Sequence, residues 1–193
     1  MKKSVTPNIL KKLGTFDLKT AMKMTGASRT TIFNWVKKGK LNKAAPGLYV
    51  HPETKIEPEY EDFVAACDFF GKKSAVGGLT ALFYYGLIEQ VPHQIWMIVG
   101  PKQRSTITKY RPIRTKTNSK IGIDIIHGFR ITSIERTLIE ALKFSTKIGL
   151  RTAIGAIRRA IKDGKTSEVK IGKMAIALGM RSILIKHWET FVE

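Results

Sequence analysis

This chain of 193 residues has one cysteine, Cys67, and few acids, with 15 Asp and Glu against 34 Lys and Arg. A single thiol excludes a disulfide within the chain, and we expect Cys67 to pack as a small apolar side chain in a reducing cytoplasm. No run of about 18 apolar residues is present, which argues against a transmembrane helix. The opening MKKSVTPNILKKLG has lysines but no sustained apolar stretch, so no secretory signal is expected.

Signatures of catalysis are also missing. The patterns GxSxG, GxxxxGK[ST] and GxGxxG do not occur, and the four histidines are scattered without the spacing of metal ligands. Asp124 and His127 are an acid–histidine pair separated by two isoleucines, and on a strand their odd separation would put them on opposite faces. We therefore expect no catalytic residues, no metal site and no cofactor, and the protein is predicted not to be an enzyme.

The positive charge that is present is unevenly distributed. The net charge is +10 over residues 1–56, −4 over residues 57–100 and +13 over residues 101–193, which together make +19. Such a field attracts polyanions, above all nucleic acid. The polar segment 51–62, with two prolines, is the predicted linker. We therefore predict a DNA-binding domain over residues 1–56 and a second domain over residues 57–193.

The most informative stretch is residues 18–50, LKTAMKMTGASRTTIFNWVKKGKLNKAAPGLYV. Apolar residues at helical spacing predict a first helix. Gly26 can adopt the positive φ of a sharp turn, and Ser28 can cap a second helix. Within that second helix Ile32 and Trp35 are expected to face the core, which leaves the polar residues exposed.

A short basic hairpin is predicted to follow. Residues 40–43 and Leu48–Val50 suit two strands, and residues 44–47 supply the turn, with Pro46 and Gly47 as its strongest signals. The prediction is thus a winged helix-turn-helix, whose exposed face carries residue types that pair with base edges and phosphates. The candidate DNA-binding residues are Ser28, Arg29, Thr30, Thr31, Asn34, Lys37, Lys38, Lys40 and Lys43. The same pattern also occurs in purely structural modules, but the local excess of positive charge favours DNA binding.

The rest of the chain predicts an α+β domain with a small sheet and several helices. Strands are predicted at residues 95–99, 121–126 and 129–131. Residues 101–120 hold seven Lys or Arg and no acid, and suit an exposed hairpin or an irregular loop. Helices are predicted over residues 60–70, 79–86, 133–144, 150–165 and 170–178 and in the C-terminal RSILIKHWETFVE. The helix over residues 150–165 is predicted to have Leu150, Ile154, Ile157 and Ile161 on one apolar face.

Four segments carry a resemblance to a known family: the winged-helix segment ending GLYVHP, then AVGGLTALFYYGL, IWMIVGP and ITSIERTLIEAL. Their order and spacing resemble those of the AbiEi-like antitoxins, which are transcriptional regulators of a bacterial abortive-infection toxin–antitoxin system. The resemblance implies a cytoplasmic repressor of its own operon that binds double-stranded DNA at inverted repeats. It also implies a C-terminal domain that counteracts a nucleotidyltransferase-like toxin, with or without direct contact.

The family's basic C-terminal character has a counterpart in this chain. We call it the secondary basic surface, made of Lys102, Arg104, Lys109, Arg111, Arg114, Arg158 and Arg159. It suits either opposition to the toxin or a second DNA contact. Two alternatives stay open: a stand-alone DNA-binding regulator, and a nucleic-acid-processing enzyme with a winged-helix targeting domain. The paucity of acidic residues in the C-terminal half weighs against a metal-dependent nuclease.

Overall fold

The computed structural model describes residues 6–13, 15–45, 48–54 and 58–189. In these residues the protein is mixed α+β, with helices around two small sheets, which confirms the expected class. The chain divides into two compact units, Met1–Asp68 with Ile125–Phe129 and Phe69–Asp124 with Arg130–Glu193. The domain boundary at residue 56 stays a prediction. Among the described residues, no helix has the length and apolar character needed to cross a membrane.

In its described residues, the first unit combines a short antiparallel sheet with three α-helices and two 3₁₀-helices. Its elements are a 3₁₀-helix Pro7–Leu13, β1 (Thr15–Asp17), α1 (Leu18–Thr25), α2 (Arg29–Lys37), β2 (Asn42–Ala45), β3 (Leu48–Val50), a 3₁₀-helix Pro58–Tyr60 and α3 (Glu61–Phe70). The strand order is β1-β3-β2, so β3 pairs with both neighbours. Its core is formed by Leu10, Phe16, Ala21, Ala27, Ile32, Trp35, Leu41 and Tyr49.

The helix boundaries of this unit follow local chemistry. Asp17 caps α1, because its Oδ1 accepts the backbone N–H of Thr20 at 2.8 Å. Gly26 ends α1 in the left-handed region with φ 69°, as expected. The first hairpin strand was predicted at residues 40–43, but β2 begins at Asn42. The reason is that the N–H groups of Lys40 and the next residue bond the carbonyl of Trp35, and so extend the end of α2.

Residues 125–129 belong to the first unit through aromatic packing. The rings of Phe63 and Phe129 lie 5.1 Å apart, edge to face, and Tyr60 stacks on His127 at 4.3 Å. Such pairs stabilise beyond the apolar area they bury.

The second sheet has five strands in the order β6-β5-β4-β8-β7. The strands are β4 (Ala75–Val76), β5 (Ile95–Val99), β6 (Tyr110–Arg114), β7 (Ile123–Ile126) and β8 (Phe129–Thr132). Helix α4 (Gly78–Tyr84) lies between β4 and β5 in the chain. Strand β5 is fully buried. It runs parallel to β6 and antiparallel to β4. Strand β6 was predicted as a loop or hairpin. It is an edge strand with one buried residue, Ile113, and it contains Pro112, which edge strands tolerate.

Five further helices follow in the described part of the chain. They are α5 (Ile134–Lys143), α6 (Ser145–Ile148), α7 (Leu150–Lys162), α8 (Glu168–Ala177) and α9 (Arg181–Lys186). Helix α5 is the central one and contacts α4, α7 and α8. Of the predicted apolar face of α7, Ile157 is buried as expected, but Leu150 is 41% exposed. Ala153, Ala156 and Ala160 are buried as well. Helix α7 contacts α5, and small buried side chains allow such helices to approach closely.

Candidate nucleic-acid interface

Helix α2 presents two chemically different faces. Ile32 and Trp35 are buried, with 0% and 7% of their surface exposed. The exposed residues of this helix and its caps are Ser28, Arg29, Thr30, Phe33, Asn34, Lys37 and Lys38. No acidic residue occurs in α2, so the exposed face combines positive charge with hydrogen-bonding groups. This arrangement is chemically suited to the edges of bases and to phosphates.

The start of α2 is held by two predicted site residues. Ser28 caps the helix by accepting the backbone N–H of Thr31 at 3.2 Å, and the two hydroxyl oxygens lie 2.9 Å apart. Thr31 is half-buried, so it is less accessible than its neighbours. The free N–H groups and the dipole at this helix end favour an anion, which adds to the positive potential of Arg29.

Phe33 is a residue of this face that sequence patterns did not single out. It is 37% exposed, and the guanidinium carbon of Arg29 lies 5.4 Å from its ring centroid. The ring also meets Tyr49 of β3 edge to face, with 6.5 Å between the ring centroids. A cation–π contact restricts the rotamers of an exposed arginine. Phe33 therefore holds Arg29 in place on the face of α2.

Two further predicted lysines follow α2. Lys40 is exposed just after the helix, and Lys43 is exposed in β2, opposite Tyr49 of β3. Of the predicted turn residues 44–47, Ala44 and Ala45 belong to β2 instead, because this strand continues its pairing with β3 to Ala45. Pro46 and Gly47 lie outside the described residues. Both lysines thus extend the basic character of α2 toward the β2–β3 hairpin.

The two acids in the first 56 residues do not offset this field on α2. Asp17 is occupied by capping α1. Glu53 forms an ion pair with Lys11, and the hydrogen bond from that ammonium lowers the pKa of Glu53. The remaining lysines and arginines of residues 1–56 are thus in large excess, as the sequence indicates.

The secondary basic surface is distributed over several places in the second unit. Arg104 and Arg114 line a pocket of about 320 Å³ together with Gln103, Ser105 and Pro112. Arg114 and Pro112 share one face of β6, since alternate residues of a strand point the same way. The fold therefore brings the guanidinium groups of Arg104 and Arg114 to the same pocket.

The other members of that surface have different surroundings. Arg111 lies over Trp96, with 4.5 Å between its guanidinium carbon and the ring centroid. Arg159, on α7, pairs with Glu89 at 2.8 Å, and this hydrogen bond raises the pKa of the arginine. Lys102, Lys109 and Arg158 are exposed.

His51 and Asp124 lie outside these basic surfaces. His51 is buried, and its Nδ1 accepts the N–H of Glu53 at 3.2 Å. Burial raises the pKa of Asp124, and the charge of Glu135 adds to that effect. Within the described part of the chain, no group of three or more His, Cys, Asp or Glu side chains is arranged to hold a metal ion.

Comparison with known proteins gives a distant structural neighbour. No family model matches the chain, and no curated protein matches it. The crystal structure of the RV2827C protein from Mycobacterium tuberculosis is similar over 84% of this chain and 66% of that chain. The TM-score is 0.45 and the sequence identity is 12%. The chain thus spans just under two thirds of that neighbour's length.

Proposed function

We propose that this protein is a DNA-binding transcriptional repressor whose first unit contains a winged helix-turn-helix. The exposed face of α2 is the observation that supports the proposal. Arg29 pairs with guanine and Asn34 with adenine, as the geometry of their side chains allows. Lys37, Lys38 and the cap of α2 contact phosphates and set the register. Strands β2 and β3 form the wing.

Binding to a fragment from directly upstream of the protein's own gene tests the assignment. Arg29→Ala and Asn34→Ala should each weaken specific binding by about 1–3 kcal/mol and leave binding to random DNA unchanged. Lys37→Ala should weaken both alike. Arg151→Ala, which removes an exposed arginine of α7, is the control for net charge. Equal losses on specific and random DNA for Arg29→Ala would show that this face does not recognise bases.

The salt dependence supplies a second measure of the same interface. If about six phosphates are neutralised, the slope of log affinity against log salt concentration should be about −5. An affinity that hardly changes with salt would contradict an electrostatic DNA interface. Footprinting on the upstream fragment would test for the inverted repeats that we propose as the operator.

The antitoxin part of the proposal is supported by the resemblance to the AbiEi-like family. In that scheme the second unit opposes a nucleotidyltransferase-like toxin encoded nearby, independently of α2. The full chain carrying Arg29→Ala and Asn34→Ala should therefore rescue growth of cells that express this toxin, although it no longer represses. Loss of rescue with a folded double variant would contradict separate roles. Absence of any such toxin gene would leave a stand-alone regulator.

A further inference from the structure

A crevice of about 390 Å³ opens in the second unit where β5 and β6 end. These two strands are parallel, and their last residues, Val99 and Arg114, are paired in register. The chain leaves both strands at the same edge of the sheet and diverges into separate loops. Crevices of this kind, outside the carboxyl ends of parallel strands, are where many open sheets bind ligands. The volume is in the range of about 300–1,000 Å³ that small-molecule sites occupy.

The lining combines charged, hydroxyl-bearing and apolar residues. It includes Lys73 and Lys116, and the apolar residues Ile98, Val99 and Pro101. No acidic side chain is among the lining residues that the structure describes. Lys73 and Lys116 are exposed at the pocket, and three hydroxyl groups lie beside them. Ammonium and hydroxyl groups are the donors that bind phosphate oxygens.

Buried cations fasten the loops that carry these donors. The Arg136 side chain is 1% exposed and donates from its Nη1 to the carbonyls of Asn118 and Ile121, which ties the loop after β6 to α5. Arg130 donates to the carbonyls of Gly71 and Ser74, on either side of Lys73. Donors that are held in place before binding lose less entropy when a ligand arrives.

Spare hydrogen-bond donors point to an anionic ligand. The Thr115 and Thr117 hydroxyl oxygens lie 2.7 Å apart, so one hydroxyl proton is shared between them and the other is left to donate. The Lys143 ammonium donates to both oxygens, at 3.3 and 3.1 Å, which uses two of its three protons. Its positive charge therefore lies next to these two hydroxyl groups.

We propose that this crevice binds a small phosphate monoester, of the size of a nucleoside monophosphate or a sugar phosphate. The phosphate contacts Lys73, Lys116 and the hydroxyl groups of the Thr115–Thr117 loop. The organic body lies against the apolar side, formed by Ile98, Val99 and Pro101. This site is separate from α2, and it does not depend on the proposed repressor function.

Calorimetry on the full chain tests the site with four nucleoside 5′-monophosphates, ribose 5-phosphate, inorganic phosphate and adenosine as probes. At least one monoester should bind saturably with a Kd below about 1 mM, while adenosine should not bind. Lys73→Ala and Lys116→Ala should each weaken this binding about tenfold, as expected for a lost charged hydrogen bond. Lys162→Ala, an exposed lysine of α7, is the matched control and should leave it unchanged.

The probes separate the sources of the phosphate. Stronger binding of nucleotides than of ribose 5-phosphate would assign a base to the apolar side, and equal binding would assign a sugar phosphate. Binding of inorganic phosphate alone, or no saturation by any monoester, would overturn the proposal. Weakened binding of duplex DNA in Lys73→Ala and Lys116→Ala, without monoester binding, would likewise overturn it and assign both lysines to a DNA surface.

Discussion

Replacing Arg136 with methionine is expected to destabilise this protein strongly. The guanidinium is almost fully buried. It contacts Glu140 Oε1 from Nε at 3.1 Å and from Nη2 at 3.0 Å, and Nη1 donates to Asn118 O at 2.8 Å. Its removal leaves a buried carboxyl group and two loop carbonyls without their donor. Breaking a buried pair from one side typically costs about 3–5 kcal/mol.

A loss of this size is a large part of the total stability of a domain, which is about 5–15 kcal/mol. With a urea slope of about 2 kcal/mol per M, the unfolding midpoint should fall by about 2 M. Urea unfolding followed by circular dichroism measures this shift. Arg181→Met, at an exposed arginine of α9, is the control and should hardly change the midpoint.

The double variant Arg136→Met/Glu140→Leu separates the ion pair from the packing. Because no unpaired carboxyl is then buried, it should be more stable than Arg136→Met alone. An unchanged midpoint in Arg136→Met would refute the importance of the pair. A double variant as unstable as the single one would show that the loop carbonyls, and not Glu140, account for the loss.

Other changes should have distinct effects. Trp35→Ala removes a buried core side chain of the first unit and should cost about 3–5 kcal/mol in thermal or urea unfolding. Phe33→Ala should weaken specific DNA binding in a mobility-shift assay with little change in unfolding, because this ring is partly exposed and supports Arg29. Gly78→Ala should destabilise by about 1–3 kcal/mol in urea, because φ is +54° and the new Cβ would lie 2.7 Å from Trp96 Cε3. Burial raises the pKa of Glu140, against the opposing effect of the Arg136 charge, so the folded protein keeps this proton to higher pH than the unfolded chain. The stability that this proton contributes is fully present below the ordinary carboxyl pKa and is lost as pH rises through the raised pKa of Glu140. In Glu140→Gln, the urea midpoint should therefore change less with pH over this range.

Several elements could be predicted because their causes are local. Ser28 and Ser133 each accept a backbone N–H three residues ahead, which begins α2 and α5 where the sequence placed them. Gly26 adopts the left-handed conformation, which glycine reaches without the steric cost that a Cβ atom brings. Strand β5 is a continuous apolar run bounded by Gly100, and such a run is typical of a buried strand.

The elements that sequence patterns missed depend on distant partners. Strand β4 has two residues, Ala75 and Val76, which both pair with β5, and Val76 also pairs with Ile131 of β8. Strand β6 has no apolar alternation strong enough to predict a strand, and its conformation follows from its parallel pairing with β5.

The same division applies to the candidate sites. The sequence alone determined the basic, acid-free composition of α2. Helical periodicity then predicted which of these residues are exposed on one face. The contact of Arg29 with Phe33 is also local, since the two residues lie four apart on one helix. Only the tertiary structure decided that Arg136 links α5 to the loop after β6 through groups up to 18 residues apart. Contacts between residues so far apart in the chain leave no periodic pattern, because they arise when packing has already brought the segments together.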